Sequence, residues 1–245
     1  MIDIHCHLLP GIDDGAGTME QALELARIAV ADGISHMVVT PHMHPGVYDN
    51  QAASIRVVFE LFREAVLEQG LNLCLAMAAE VRICPEIVSM MADGRIPMYR
   101  SAAGTQTLLL EFPHSHIPPG SDKLIHWLRA RGTGCLIAHP ERNKELMRDI
   151  DKLVPFINMG CKLQLTAASV SGQFGEQPKQ AALELLKRGW VALLATDAHN
   201  ASRRPPELAA GKRAAAGAIG AERAEALVSS GPWSLVGGMF DIESS

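Results

Sequence analysis

The feature that most constrains this 245-residue chain is the alternation of short apolar runs with longer amphipathic stretches. The segments Ile2 to His7, Ile34 to Thr40, Leu71 to Ala79, Thr107 to Leu110, Cys135 to Ala138, Lys162 to Thr166 and Trp190 to Ala195 read as strands. Helical patterns separate them. One opens at the capping-box signature Thr18-Met19-Glu20-Gln21 and stops at Gly33. Another spans Asn50 to Gln69, with Ile55, Val58, Phe59, Phe62, Val66 and Leu67 expected to face inward. Further helices are predicted near Pro85 to Met91, over Asp122 to Arg131, over Lys144 to Met159 with a break at Pro155, and over Pro178 to Arg188, while Ala209 to Gly220 reads as helix ends around a turn. Strands joined through helices need crossover connections, so the sheet should be parallel.

Polar residues recur at one place in this pattern. His5, His7, His42, Glu80, Glu111, His139, Asp197 and His199 all stand at or just past the C-terminal ends of predicted strands. An α/β barrel would gather them at one mouth, whereas a doubly wound open sheet, the alternative fold, binds ligands mainly at its switch point. His5 and His7 share a face of their strand because side chains alternate with period two. Buried together without a cation, such residues would repel one another or stay unpaired. Imidazole and carboxylate without a thiolate cluster suit borderline and hard divalent ions and a hydrolytic centre.

Composition excludes several other functions. A net charge of −5 without clustered Lys or Arg argues against nucleic-acid binding. The chain has no signal-peptide pattern and no apolar run long enough to span a bilayer, and its five cysteines are scattered, so a cytoplasmic protein with reduced thiols is expected, folded as one domain over residues 1–245. There is no Gly-x-Gly-x-x-Gly, Walker-type or Gly-x-Ser-x-Gly motif. A cysteine-dependent phosphatase needs Arg six residues after its Cys; at that offset Cys6, Cys74, Cys84, Cys135 and Cys161 meet Ile12, Glu80, Met90, Glu141 and Ala167.

His5-Cys6-His7, Thr40-Pro41-His42, Ala79-Glu80, Leu110-Glu111, His139-Pro140-Glu141-Arg142 and Thr196-Asp197-Ala198-His199 resemble the motifs of the polymerase and histidinol phosphatase (PHP) superfamily. Within it, the opening Met-Ile-Asp-Ile-His-x-His, the Asp13-Asp14-Gly15 loop and Asp197-Ala198-His199-Asn200 followed by Arg204-Pro205-Pro206 are most similar to bacterial manganese-dependent protein-tyrosine phosphatases of the CpsB and YwqE type. The resemblance implies a distorted (β/α)7 TIM-like barrel with three divalent metal ions, manganese or else iron or zinc, at its C-terminal mouth. One ion would take His5, His7, Glu80 and Asp197. A second would share Glu80 and add Glu111 and His139, and a third would take Asp14, His42 and His199. A metal-bound hydroxide would attack phosphorus, and Arg142 and Arg204 would hold the phosphate. The implied substrate is a phosphotyrosine protein, by analogy a bacterial tyrosine kinase governing capsule or exopolysaccharide synthesis. A histidinol-phosphate or other small-molecule phosphatase would share these ligands, and a non-catalytic metal-binding regulatory module is the alternative of another class.

The thiol and metal readings separate on one measurement. Phosphatase activity should disappear with chelator and survive Cys6→Ala; activity that resists chelation yet depends on Cys6 would overturn the metal reading.

Overall fold

The computed structural model describes residues 1–240; of the C-terminal stretch Ser230 to Ser245, residues 241–245 lie outside the described part. The chain forms an α/β fold. Its strands are β1 Ile2–Asp3, β2 His36–Val39, β3 His42–Met43, β4 Cys74–Met77, β5 Glu80–Arg82, β6 Tyr99–Arg100, β7 Gln106–Glu111, β8 Gly134–Ala138, β9 Lys162–Thr166 and β10 Val191–Ala195. One parallel sheet has the order β1-β2-β4, and the other runs β10-β9-β8-β7-β5-β3 with β6 antiparallel on β7.

Two predicted strands are each divided. Ile34 to Thr40 becomes β2, and the chain resumes as β3 beyond Pro41, which has no N–H to give a ladder. Leu71 to Ala79 becomes β4, and Glu80 begins β5 rather than ending a strand. Backbone bonds carry the pairing across both interruptions, from Ala78 N to Val39 O (2.9 Å) and from Glu80 N to Pro41 O (3.2 Å). The segment after β1 also bonds to the segment after β10: His7 N donates to Ala198 O and Asp197 N to His5 O, each at 2.8 Å. Thr40 N donates to Cys6 O at 2.8 Å on the other side.

The strands bury both faces, as parallel sheets covered by helices do. Leu108, Leu110, Ile137, Leu163, Leu165 and Leu194 join the larger apolar cluster, which includes Leu25, Ile55, Phe59 and Phe62 from the covering helices. The alternate residues Ile4, Val38, Leu109, Leu136 and Leu193 form a second, smaller cluster with Tyr99, Leu235 and Val236. Tyr99 is fully buried and its hydroxyl donates to Ile4 O.

Several helical expectations change. The Asn50 to Gln69 helix is Ala52–Glu68, but Leu67 is 78% exposed rather than inward. It adjoins Val66 in sequence, and a rotation of about 100° per residue takes it off the buried stripe. The break in Lys144 to Met159 falls at Asp149, whose extended φ of −151° ends helix Lys144–Arg148. Pro155 instead sits in the first turn of Val154–Asn158, where its missing N–H costs nothing. Ala209–Ile219 is one continuous helix stopped at Gly220, since Ala-rich sequence propagates helix readily. Its Gly211 lies where a Cβ would come within 2.6 Å of Ala167, which explains the small residue mid-helix. Strand β6 and helix Ala167–Ser171 were not anticipated from pattern, being too short to show a period.

A buried carboxylate ties the end of β1 to the segment that follows β10. Asp3 accepts bonds from Thr196 N (3.0 Å), Thr196 Oγ1 (2.5 Å) and His5 N (3.3 Å). Burial pushes its carboxyl up to about 6 against the pull of these donors. Removing the acceptor would strand a buried backbone N–H beside two expected ligand segments. Asp3→Ala should therefore lower unfolding free energy by roughly 2–4 kcal/mol, and Asp3→Asn by less because one carbonyl oxygen remains, as denaturant titration of both variants would measure.

Candidate metal centre

The structure brings together all nine residues expected as ligands. His5 and His7 follow β1, Asp14 lies in the next loop, His42 opens β3, Glu80 opens β5 and Glu111 ends β7. His139 follows β8 directly, and Asp197 and His199 follow β10. Their donor atoms form four overlapping groups, each within 4.8 Å: His7 with Asp14, His42 and His199; His5 with His7 and Glu80; His5 with His139 and Asp197; and His42 with Glu80 and Glu111. Glu80 and Asp197 are buried at the centre, whereas Asp14 is about half exposed at the edge. The pairing differs in detail from the expected ion-by-ion sets. His42 Nδ1 lies 2.9 Å from Glu80 Oε2 while its Nε2 is 3.3 Å from Asp14 Oδ1, and His139 groups with His5 and Asp197 while its Nε2 is 2.8 Å from Glu80 Oε1.

The orientation of the first two histidines is set from behind. His5 Nδ1 faces Gln164 Oε1 at 2.7 Å and His7 Nδ1 faces Asp13 Oδ2 at 2.8 Å. With Nδ1 donating to these acceptors, both Nε2 lone pairs point inward, and the two Nε2 atoms lie 3.3 Å apart. Two lone pairs in that position repel unless a cation lies between them or one ring is protonated. Buried Glu80 Oε2, Glu111 Oε2 and His199 Nε2 also make no well-aligned hydrogen bond, although His42 Nδ1 stands 2.9 Å from the first and an Arg82 nitrogen 2.9 Å from the second. Buried polar atoms of this kind fit a divalent ion, and the imidazole and carboxylate donor set is the right chemistry for one.

The electrostatics are correspondingly divided. Burial disfavours charged His42, yet the negative charge of Glu80 prevails and lifts it to about 9. Burial brings His139 down to about 4 despite the same carboxylate. Burial and the Glu80 charge push Glu111 up to about 7, with Arg82 opposing them from 2.9 Å. Asp197 is held well below the usual carboxylate range: Arg204, His5 and Arg142 outweigh its burial.

Both candidate phosphate-binding arginines reach this centre. Arg142 and Arg204 each donate to Asp197 Oδ2, while Asp197 Oδ1 lies 3.4 Å from both His5 Nε2 and His7 Nε2. Asn200 turns the last loop, its Oδ1 accepting from Arg203 N (2.7 Å) and Arg204 N (3.2 Å). Arg203 is exposed and Arg204 points inward.

Tight backbone positions hold these groups. His139 and Asp197 are the non-glycine residues at positive φ among the described residues, at 32° and 52°. Such strain persists where the surroundings over-determine it, and functional sites are where it clusters. A Cβ on Gly15 would stand 1.9 Å from His7 O, so only glycine lets the Asp13-Asp14 loop close onto His7.

Cys6 is buried, and its thiol points to Val38 O at 3.6 Å, with burial raising it well above its ordinary value. Gln164 and Arg82 stand beside the candidate ligands without any signal in the sequence that marks them, and the loop residue His114 has its ring edge-on 6.2 Å from that of His139. Gln164 sits mid-strand in β9, where alternation alone gives no reason to single it out. Asp13 adjoins a singled-out position, and its role behind His7 required the loop geometry.

A family described as capsular polysaccharide synthesis, CpsB/CapC, matches residues 1–237. The chain is 36% identical over 204 residues to the tyrosine-protein phosphatase YwqE of Bacillus subtilis, covering 83% of this chain and 79% of the relative. It is 27% identical over 245 residues to the tyrosine-protein phosphatase CpsB of Streptococcus pneumoniae, covering 96% and 98%. A crystal structure from work on YwqE from Bacillus subtilis and CpsB from Streptococcus pneumoniae, described as unique metal-dependent tyrosine phosphatases, superposes with a TM-score of 0.89 at 33% identity, covering 96% of this chain and 94% of that one. With the match running through nearly all of its length, the chain belongs to the CpsB/CapC family of capsular polysaccharide synthesis.

Proposed function

We propose that this chain is a metal-dependent phosphomonoesterase that hydrolyses phosphotyrosine on proteins. The observation that carries the reading is the convergence of nine imidazole and carboxylate residues with two guanidinium groups reaching one of them. Similarity to metal-dependent tyrosine phosphatases supports the substrate class. In this reading the whole chain is one PHP-type domain. The backbone bonds joining the segments after β1 and β10 support a closed, distorted (β/α)7 barrel with the centre at its C-terminal mouth.

His5, His7, Glu80 and Asp197 would hold one ion, Glu80, Glu111 and His139 a second, and Asp14, His42 and His199 a third. Manganese is the proposed metal, and iron or zinc suits the same donors. Such ions supply positive charge to the phosphoryl group and lower the pKa of water toward ~7.

The chain's own residues then have separate tasks. Gln164 and Asp13 hold the His5 and His7 rings so that Nε2 faces the centre. Asp197 turns one oxygen to the histidines and the other to Arg142 and Arg204, which places the guanidinium groups beside the centre. Partly exposed and planar, they are available to grip phosphate oxygens in pairs and to stabilise the charge spread over them in the transition state. A phenolate leaving group with a pKa near ~10 needs less protonation than an alkoxide. This is compatible with a mouth whose titratable groups are mostly assigned to metal.

A phosphotyrosine-bearing bacterial tyrosine kinase is the proposed partner, with control of capsule or exopolysaccharide synthesis as the consequence. The scattered cysteines suit the reducing cytoplasm, where we place this activity. No helix among the described residues is long and apolar enough to cross a membrane.

Purified protein supplied with Mn²⁺ should hydrolyse a phosphotyrosine peptide faster than histidinol phosphate and lose activity with chelator. A reversed preference would favour the small-molecule phosphatase, and metal binding without turnover of either substrate would favour the regulatory module. His139→Ala and Asp197→Ala should abolish turnover and lower the metal content measured on the same samples. Arg142→Ala and Arg204→Ala should retain metal yet lose roughly 10²–10³-fold in kcat, the scale of removing one transition-state donor.

A further inference from the structure

One aromatic side chain stands beside the proposed phosphate-binding arginine without belonging to the core. Phe59, Phe62, Phe112 and Phe156 are buried in the larger apolar cluster, and Phe240 stacks on Trp233. Phe174 belongs to neither apolar cluster and is partly exposed. It follows β9 and helix Ala167–Ser171, in a turn bounded by Gly172 at φ 92° and Gly175 at φ 94°. Both glycines adopt backbone conformations unfavourable to other residues, so the turn that carries Phe174 depends on glycine at each of its ends. The contact made there is with Arg142, whose Cζ lies 5.0 Å from the centre of the Phe174 ring.

These contacts form a row from Phe174 to Arg142 to Asp197. A phosphate gripped by Arg142 has its ester oxygen and organic group one bond further out. On the Arg142 side, an aromatic organic group would meet the ring of Phe174, whereas a short alkyl group would leave that ring uncovered. We propose that Phe174 walls a subsite for the phenyl ring of the substrate and gives the centre its preference for aryl over alkyl phosphate esters. The inference rests on the phosphatase reading above and deepens it, because the arginines and metal ligands treat every phosphomonoester alike.

The test uses the Mn²⁺-loaded enzyme with phenylphosphonate and methylphosphonate as competitive inhibitors, alongside turnover of a phosphotyrosine peptide. Phe174→Ala should reduce the preference for phenylphosphonate over methylphosphonate by about tenfold, the scale of one lost aromatic contact with its buried area. It should also raise KM for the peptide more than it lowers kcat. Phe174→Tyr should restore the preference. A thermal melt of each variant checks that the fold is kept, as expected for a side chain outside the core. Equal weakening of both inhibitors would make Phe174 only a support for Arg142 and overturn the proposal, as would an unchanged preference. A wild-type enzyme that turns over no phosphomonoester would instead defeat the phosphatase reading, and this inference with it.

Discussion

Two buried imidazole nitrogens, His5 Nε2 and His7 Nε2, lie 3.3 Å apart with their opposite ring nitrogens already satisfied by Gln164 and Asp13. Much of the molecule depends on that confrontation. Glu80 and Asp197 stand within 3.5 Å of the same two nitrogens, so the centre concentrates lone pairs and negative charge where water cannot screen them. Protonating the histidines is one way to balance this charge, and a divalent cation is the other. The second would also engage Glu111 Oε2 and His199 Nε2, which are buried without a well-aligned hydrogen bond. A protein that keeps such a cluster at its interior needs a rigid frame around it, because groups that repel will otherwise move apart.

The frame consists of the parallel strands and the bonds that continue beyond their ends. Apolar side chains on both faces of the strands lock them against the covering helices on one side and against the smaller cluster on the other. Asp3 fastens the segment carrying His5 to the segment carrying Asp197, through Thr196. The strain at His139 and Asp197 and the close approach of Gly15 to His7 are tolerable only because this scaffold over-determines those positions. Electrostatic demand at the centre and packing beneath it are thus parts of one arrangement.

The proposed specificity element belongs to a different layer. The arginines engage Asp197 and so are tied to the centre itself, whereas Phe174 hangs on a glycine-bounded turn outside the core. Loops on a rigid scaffold can change without disturbing the chemistry they surround. A ring in such a place can select substrates while the arginines proposed to grip phosphate stay unchanged.

The sequence by itself determined the α/β class and the gathering of charged residues at strand ends. Apolar periodicity is a local property, and the recurrence of His, Asp and Glu after each run is visible without coordinates. It also excluded the thiol mechanism, because no cysteine has an arginine at the required offset. Only the tertiary structure decided what stands behind the candidate ligands. Gln164 is 159 residues from His5, and nothing near it in sequence marks it as the residue that turns that ring. The position of the break at Asp149, the exposure of Leu67 and the placing of Phe174 over Arg142 were likewise settled by packing between distant segments. Local pattern records what each residue prefers, and the fold decides which preferences are met and which neighbours meet them.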